Sequence, residues 1–123
     1  MSRSWSEKFR DAFRGLWRAI RHERSFAVHL PMAAAVAAAA AVLRVSLTEA
    51  CVLGLCVTIV LAAEVFNTAL EHLARAITRQ PNDHVRAALD MASGAVLLAA
   101  VGAAGVGGTV FVYRLGVFTG WWR

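Results

Sequence analysis

Four polar side chains share one stripe of an otherwise apolar segment: Glu64, Asn67, Thr68 and Glu71. Offsets of three, four and seven residues place them one above another on a single helix face. A carboxylate at the centre of a membrane helix costs about 2.5–3.5 kcal/mol on insertion scales, so intramembrane acids are candidates for function. The alternative is a polar seam that joins helices, with Glu71 paired to Arg75.

Two further acids border apolar segments. Glu23 continues the apolar arc of an amphipathic N-terminal segment, where a solvated charge does not belong, so we expect it to point toward the other helices if the helix extends that far. Asp90 opens a long apolar run and shares a stripe with Ser93. Its alternative role is an anchor at the membrane interface. Together with Glu64 and Glu71, these acids are predicted to lie at one membrane depth.

Carboxylates surrounded by basic side chains favour phosphate chemistry. Mg²⁺ binds carboxylate oxygens and is usually held together with substrate phosphates. A transporter or channel fits less well, because no further acid continues a path across the membrane. The glycines at 105–108 follow no predicted strand and have no lysine partner, so we interpret them as packing residues and not as a phosphate loop.

The composition indicates the environment of these side chains. The chain has 123 residues, of which 59% are hydrophobic and 17% charged, against about 25% charged residues in soluble domains. A soluble domain of this size needs more polar surface, so a disordered tail and an ordinary cytosolic protein are excluded. Cys51 and Cys56 have neither redox-pair nor zinc-ligand spacing and are predicted to be membrane-core residues.

The apolar pattern predicts a single all-α membrane domain over residues 1–123. An amphipathic surface helix is expected over 5–24, with aromatic residues on one face and basic residues on the other. Three further helices, each containing a membrane span of about 20 residues, are expected over 26–43, 47–71 and 83–113. Asn82 or Asp83 is the expected N-cap of the last helix.

The basic residues predict the orientation. Ten of the thirteen lie in the N-terminal segment and in the predicted loop from His72 to Leu89, which leaves Arg44, Arg114 and Arg123 on the other side. The positive-inside rule places the N-terminus and that loop in the cytoplasm and the C-terminus outside. We expect no nucleic-acid partner.

Four sequence blocks carry a family resemblance: Ala-Phe-Arg-Gly-Leu at 12–16, Glu-Arg-Ser-Phe-Ala-Val-His at 23–29, Glu-Val-Phe-Asn-Thr-Ala-Leu-Glu-His at 64–72 and Asp-Met-Ala-Ser-Gly-Ala-Val at 90–96. The chain resembles the small integral-membrane diacylglycerol and undecaprenol kinases of prokaryotes. The blocks at 23–29 and 64–72 look closer to the undecaprenol kinase branch. The resemblance covers nearly the whole chain.

The resemblance implies a function and an assembly. It implies transfer of the γ-phosphate of ATP to the hydroxyl of diacylglycerol or undecaprenol, with Mg²⁺, in phospholipid or cell-envelope lipid recycling. It also implies a homotrimer of three-span subunits with composite sites, in the bacterial cytoplasmic (inner) membrane. Neither the lipid substrate nor the oligomeric state follows from the residues alone.

The resemblance also implies roles for individual residues. Glu64 matches the general base, and Glu23 and Glu71 match the Mg²⁺-binding carboxylates. Asn67 and Asp90 match polar residues that line the nucleotide, and Ser93 matches a residue near the lipid headgroup.

Two positions depart from the family pattern. Leu89 stands where the family usually has a phosphate-binding lysine, and Arg75 stands where it usually has an acid. Arg86, one turn before Asp90, or Arg75 itself is the candidate replacement cation, with Arg86 assigned to the nucleotide. The alternative is a catalytically impaired member that acts as a lipid- or nucleotide-binding membrane subunit.

Overall fold

Four helices make up the protein in a computed structural model that describes residues 2–122. They are α1 (Trp5–His22), α2 (Phe26–Val42), α3 (Leu47–Ile77) and α4 (Asp83–Phe118), and residues 2–122 contain no strand. Arg123, one of the three basic residues assigned to the outer side, lies outside the described residues. The prediction of an all-α protein is confirmed.

The first helix is amphipathic and ends earlier than predicted. Ser4 caps it by accepting a hydrogen bond from the backbone N–H of Glu7, whose side chain accepts from Ser4 in return. The helix stops at His22, and Glu23 is extended, so the prediction that the helix continues through Glu23 is wrong. It meets α2 at 98°, an angle that suits a helix lying along the surface of a membrane that α2 enters.

The second helix is short for a membrane span. It has 17 residues and is therefore about 25 Å long, against about 30 Å of hydrocarbon. Pro31 lies inside it and cannot donate a backbone hydrogen bond to the preceding turn. The helices α3 and α4 are each long and apolar enough to cross a membrane, whereas a third span requires counting α1 and α2 as one bent pair. The molecule is therefore a membrane protein with two or three spans.

The hairpin of α3 and α4 forms the main body of the molecule. The helix α3 continues from its predicted end at residue 71 to Ile77, so the connection to α4, which begins at Asp83 as predicted, shortens to residues 78–82. At its other end α4 continues beyond the predicted residue 113 to Phe118. Asn82 is the N-cap of α4 and accepts hydrogen bonds from the backbone N–H groups of His84 and Val85. At the opposite end of the hairpin, Arg114 Nε donates to Glu49 Oε2 across 3.2 Å.

Small residues allow α3 and α4 to approach closely. Leu53 is 4% exposed, and its Cδ2 lies 3.6 Å from where a Cβ at Gly107 would stand. A methyl group at that position would lie in ordinary van der Waals contact with Leu53, so the site accepts a small residue such as glycine or alanine. Helices in membranes are held together by such close packing, because lipid tails are as apolar as leucine.

Truncation of Leu53 is expected to destabilise the hairpin moderately. We expect Leu53→Ala to cost about 1–2 kcal/mol, less than in a soluble core, because the side chain gains packing but little transfer energy within a membrane. Thermal unfolding in detergent micelles measures the effect. Leu97→Ala is the matched control, because Leu97 lies on α4 and is 66% exposed. Equal losses in both variants would contradict the packing role of Leu53.

Candidate active site

An apolar groove runs between α2, α3 and α4. Its volume is about 320 Å³. Alanines, glycines and branched aliphatic residues line most of it, including Val36, Leu53 and Ala104, and His29 is the single ionisable side chain on its wall apart from the Cys56 thiol. On α3 the groove includes Val60 and Leu61, which lie one turn before Glu64.

The buried carboxylate of Glu64 lies beside the polar end of this groove. Glu64 is 7% exposed, and its Oε2 lies 3.4 Å from Nε2 of His29 on α2. Among residues 2–122, no other basic side chain comes within ion-pair distance of Glu64. A carboxylate held in apolar surroundings next to a single imidazole has the position required of a base for a hydroxyl that arrives along the groove.

The stripe predicted on α3 lies on one face of the helix, and the side chains in its C-terminal half contact one another. Asn67 Nδ2 donates to Glu71 Oε1 across 3.1 Å, and Glu71 Oε2 lies 3.8 Å from Arg75. Asn67 and Thr68 are buried with Glu64. The Oδ1 atom of Asn67 is buried and accepts no hydrogen bond from the described part of the chain. This stripe therefore contains an oxygen that is available to a ligand.

Glu23 reaches the same turn of α3, although it is not on a helix. Its Oε1 lies 2.8 Å from Nε2 of His72, the residue that follows Glu71. The contact joins the α1–α2 junction to the end of the polar stripe. Glu23 thus contacts the residue that follows Glu71, whereas Glu71 itself faces Asn67, Arg75 and the cleft between the end of α3 and the start of α4.

A second cleft lies where α3 ends and α4 begins. It has a volume of about 640 Å³, and its walls include Glu71, Arg75, Arg79 and Leu89. Both positions that depart from the family pattern, Arg75 and Leu89, therefore face one space. Arg86 does not line this cleft.

The predicted site residues of α4 lie apart from those of α3. Arg86, Asp90 and Ser93 are all exposed, whereas Val85 and Leu89 face the cleft. Within one chain the structure therefore brings together Glu64 with His29, Asn67 with Glu71, and Glu23 with His72, and it leaves Asp90 and Ser93 on an open side of α4.

The donor set on α3 suits a hard cation. No group of three or more His, Cys, Asp or Glu side chains that could hold a metal ion occurs within residues 2–122. Mg²⁺ does not require one, because it is usually held by one or two carboxylates together with substrate phosphates and water. Glu71 and the Asn67 Oδ1 atom, both on α3, offer oxygen ligands of this kind, so the residues fit this mode of binding. Glu23 comes from the junction of α1 and α2 and contacts His72.

Two histidines contact the predicted acids, although the sequence did not predict them as site residues. His29 and His72 each contact an acid that the sequence singled out. The available signal was an ionisable side chain, His29, inside a predicted membrane span, which is itself an indicator of function. Which acid each histidine meets depends on helix packing, which the sequence does not display.

The fold and the site define a helical membrane protein with a buried carboxylate at the polar end of an apolar groove and arginines in a neighbouring cleft. The family model described as prokaryotic diacylglycerol kinase matches residues 10–111. The chain belongs to the prokaryotic diacylglycerol kinase family, a family of lipid kinases.

Two relatives show the range of this similarity. The chain is 33% identical to undecaprenol kinase of Bacillus subtilis over 109 residues, which cover 89% of each chain. It is 36% identical to diacylglycerol kinase of Synechocystis sp. over 105 residues, which cover 85% of this chain and 60% of that protein. No solved structure matches the chain at a significant level.

Proposed function

We propose that the protein is a membrane lipid kinase that transfers the γ-phosphate of ATP to the hydroxyl of diacylglycerol or undecaprenol. The observation that carries the proposal is Glu64, a buried carboxylate that lies 3.4 Å from His29 on the wall of the apolar groove. A carboxylate is costly inside an apolar helix, and a lipid kinase needs a base where an apolar chain ends in a hydroxyl. Phospholipid or cell-envelope lipid recycling is the corresponding cellular role.

Each predicted site residue has a separate role in the proposed reaction. Glu64 takes the hydroxyl proton while the lipid oxygen forms a bond to the γ-phosphorus and the bond to ADP breaks. Asn67, Asp90 and a guanidinium bind the nucleotide, and Ser93 contacts the lipid headgroup. Glu23 and Glu71 would hold Mg²⁺, which would supply charge neutralisation for the phosphates.

The exposed stripe on α4 supports composite sites formed between subunits, and the family resemblance implies that the assembly is a homotrimer. Asp90 and Ser93 are open in the single chain, so a neighbouring subunit would place its own α3 stripe against them. Crosslinking in native membranes tests this assembly, and a monomer alone would contradict it. The basic residues support a location in the bacterial inner membrane with the N-terminus in the cytoplasm.

Transfer of labelled phosphate tests the activity directly. Purified protein in detergent micelles, supplied with Mg²⁺ and ATP labelled at the γ-phosphate, is expected to label undecaprenol or diacylglycerol. A panel containing both lipids and shorter prenols identifies the substrate. Absence of transfer to any prenol or diglyceride would contradict the proposed function.

The hydrocarbon chain of the substrate is the occupant expected in the apolar groove, because His29 on the groove wall contacts the proposed catalytic carboxylate. We expect Ala104→Phe to fill part of the groove and to raise KM for long-chain lipids about tenfold. A water-soluble short-chain analogue should be affected much less, because it does not extend along the groove. Steady-state kinetics with both lipids measures the difference.

Gly105→Phe is the matched control for this substitution. Gly105 is the next residue on α4 and is exposed, and a Cβ added there would have no neighbour within 4 Å. The control adds the same ring outside the groove and should leave KM unchanged. Equal changes in both variants, or equal changes for both lipids, would show that the chain does not lie in this groove.

The second candidate function is a family member that binds lipid or nucleotide without phosphate transfer. Leu89 favours it, because this side chain places an apolar group in the arginine-lined cleft. Such a protein would retain nucleotide binding, measurable with a fluorescent ATP analogue, in the absence of any labelled lipid.

A further inference from the structure

His29 occupies a position that packing alone does not explain. It comes from α2, its side chain is 22% exposed, and it contacts both the groove and Glu64. The rest of the groove wall is apolar or weakly polar, so a leucine would fit this surface equally well. The imidazole instead presents Nε2 to the carboxylate at 3.4 Å.

The carboxylate needs a partner from another helix. Its neighbours on α3 do not supply a cation, since Asn67 donates to Glu71 and Arg75 lies beside Glu71. A buried carboxylate without a hydrogen-bond partner is costly and is free to rotate away from the groove, which would make it a poor base. His29 is the side chain in residues 2–122 that meets this need.

We propose that His29 is a positioning residue for lipid phosphorylation. Its Nε2–H group donates to Glu64 and keeps one carboxylate oxygen directed at the end of the groove, where the lipid hydroxyl arrives. The proton passes from the hydroxyl to Glu64, as the lipid oxygen bonds to the γ-phosphorus and ADP leaves, and His29 takes no part in bond making. This inference rests on the proposed function.

The geometry before substrate binds agrees with this role. Contacts between catalytic groups are often long in the free enzyme and shorten in the complex with substrate. A separation of 3.4 Å between Nε2 and Oε2 requires only a small movement to become a hydrogen bond. His72 serves a different acid, Glu23, so it does not duplicate the role of His29.

Substitution of His29 by leucine and by glutamine tests the proposal. We expect His29→Leu to lower kcat about 10- to 100-fold, the usual effect of losing a group that orients a catalytic residue. KM for ATP should stay unchanged, because His29 lines the lipid groove and not the arginine cleft. His29→Gln keeps a donor near the position of Nε2 and should recover most of the lost kcat.

His84→Leu is the control, because His84 is exposed at the start of α4 and uses only its backbone in the cap. It should retain the kcat of the parent. In addition, His29→Leu should have little effect in a Glu64→Gln background, because the two residues act as a unit. Thermal unfolding of each variant in micelles separates loss of fold from loss of positioning.

The outcomes distinguish this inference from the proposed function. If the parent protein transfers no phosphate, the proposed function fails. If the parent is active and His29→Leu retains its kcat, the positioning role is overturned. It is overturned equally if glutamine restores thermal stability but not kcat, or if the effects of His29→Leu and Glu64→Gln are additive.

Discussion

Replacement of Glu64 by glutamine is expected to lower kcat for lipid phosphorylation by about 10²–10⁴-fold. Glutamine keeps the size of the side chain and its ability to accept from His29, but it cannot take a proton from the lipid hydroxyl. The protein should still fold, because removal of a buried charge relieves a cost of burial. Radiolabel transfer from ATP to the lipid, followed over hours for the variant, measures the loss.

Glu49→Gln is the matched control for this experiment. Glu49 lies on the same helix and is paired with Arg114 at the opposite end of the hairpin. Its amide variant should retain kcat, even if thermal stability falls through the weakened ion pair. If Glu64→Gln remained as active as Glu49→Gln, another group would have to be the base, and the proposed mechanism would be wrong.

The acids of the site could be predicted from the sequence, because carboxylates in a membrane-spanning helix carry a large energetic cost. Glu64 and Glu71 interrupt an apolar helix at a spacing that requires a common face, and α3 carries both as predicted. Likewise, Asn82 follows Pro81 and precedes a long apolar run, and it caps α4. Both inferences depend on local chemistry and helical periodicity, which predict the common face of the acids and limit the N-cap to Asn82 or Asp83; the structure identifies Asn82.

The path of the chain around Glu23 could not be predicted from local chemistry and helical periodicity. No glycine or proline ends α1, and the amphipathic pattern continues through Glu23, so the basic residues Arg21 and His22 are the one weak signal for its end. The helix nevertheless ends at His22, and the chain turns by 98° into α2. After the turn, Phe26 is buried and Glu23 contacts His72. The contact between Glu23 and His72 joins segments that are 49 residues apart, so the local sequence does not predict it.

The pairing of acids with histidines could not be predicted from the sequence either. Sequence periodicity gives the face of a helix on which a residue lies, but not the neighbour that the face meets. His29 lies 35 positions before Glu64, and only the packing of α2 against α3 joins them. The neighbours of the exposed residues Asp90 and Ser93 cannot be predicted even from the fold of one chain, because they are proposed to come from another subunit.

Substitution of Arg75 by alanine is expected to lower kcat by about 10²–10³-fold, the usual loss when a group that stabilises developing charge is removed. Arg75 lies 3.8 Å from Glu71 and faces the cleft that also contains Leu89, so its guanidinium is placed to contact phosphates in the absence of lysine there. Arg75→Lys should retain part of the activity, because a point charge replaces a planar fork. Titration with ATP at saturating lipid measures both variants.

Arg86→Ala compares the other candidate cation directly. Arg86 is exposed and lies outside the cleft, so a smaller loss is expected if Arg75 is the phosphate contact. The double variant Arg75→Asp with Leu89→Lys then restores the usual family pattern. If the arginine has taken over the role of the lysine, this reversion lowers activity, because it puts an acid where the phosphates now bind. A gain of activity in the double variant, from a parent that has none, would instead establish the non-catalytic binding subunit.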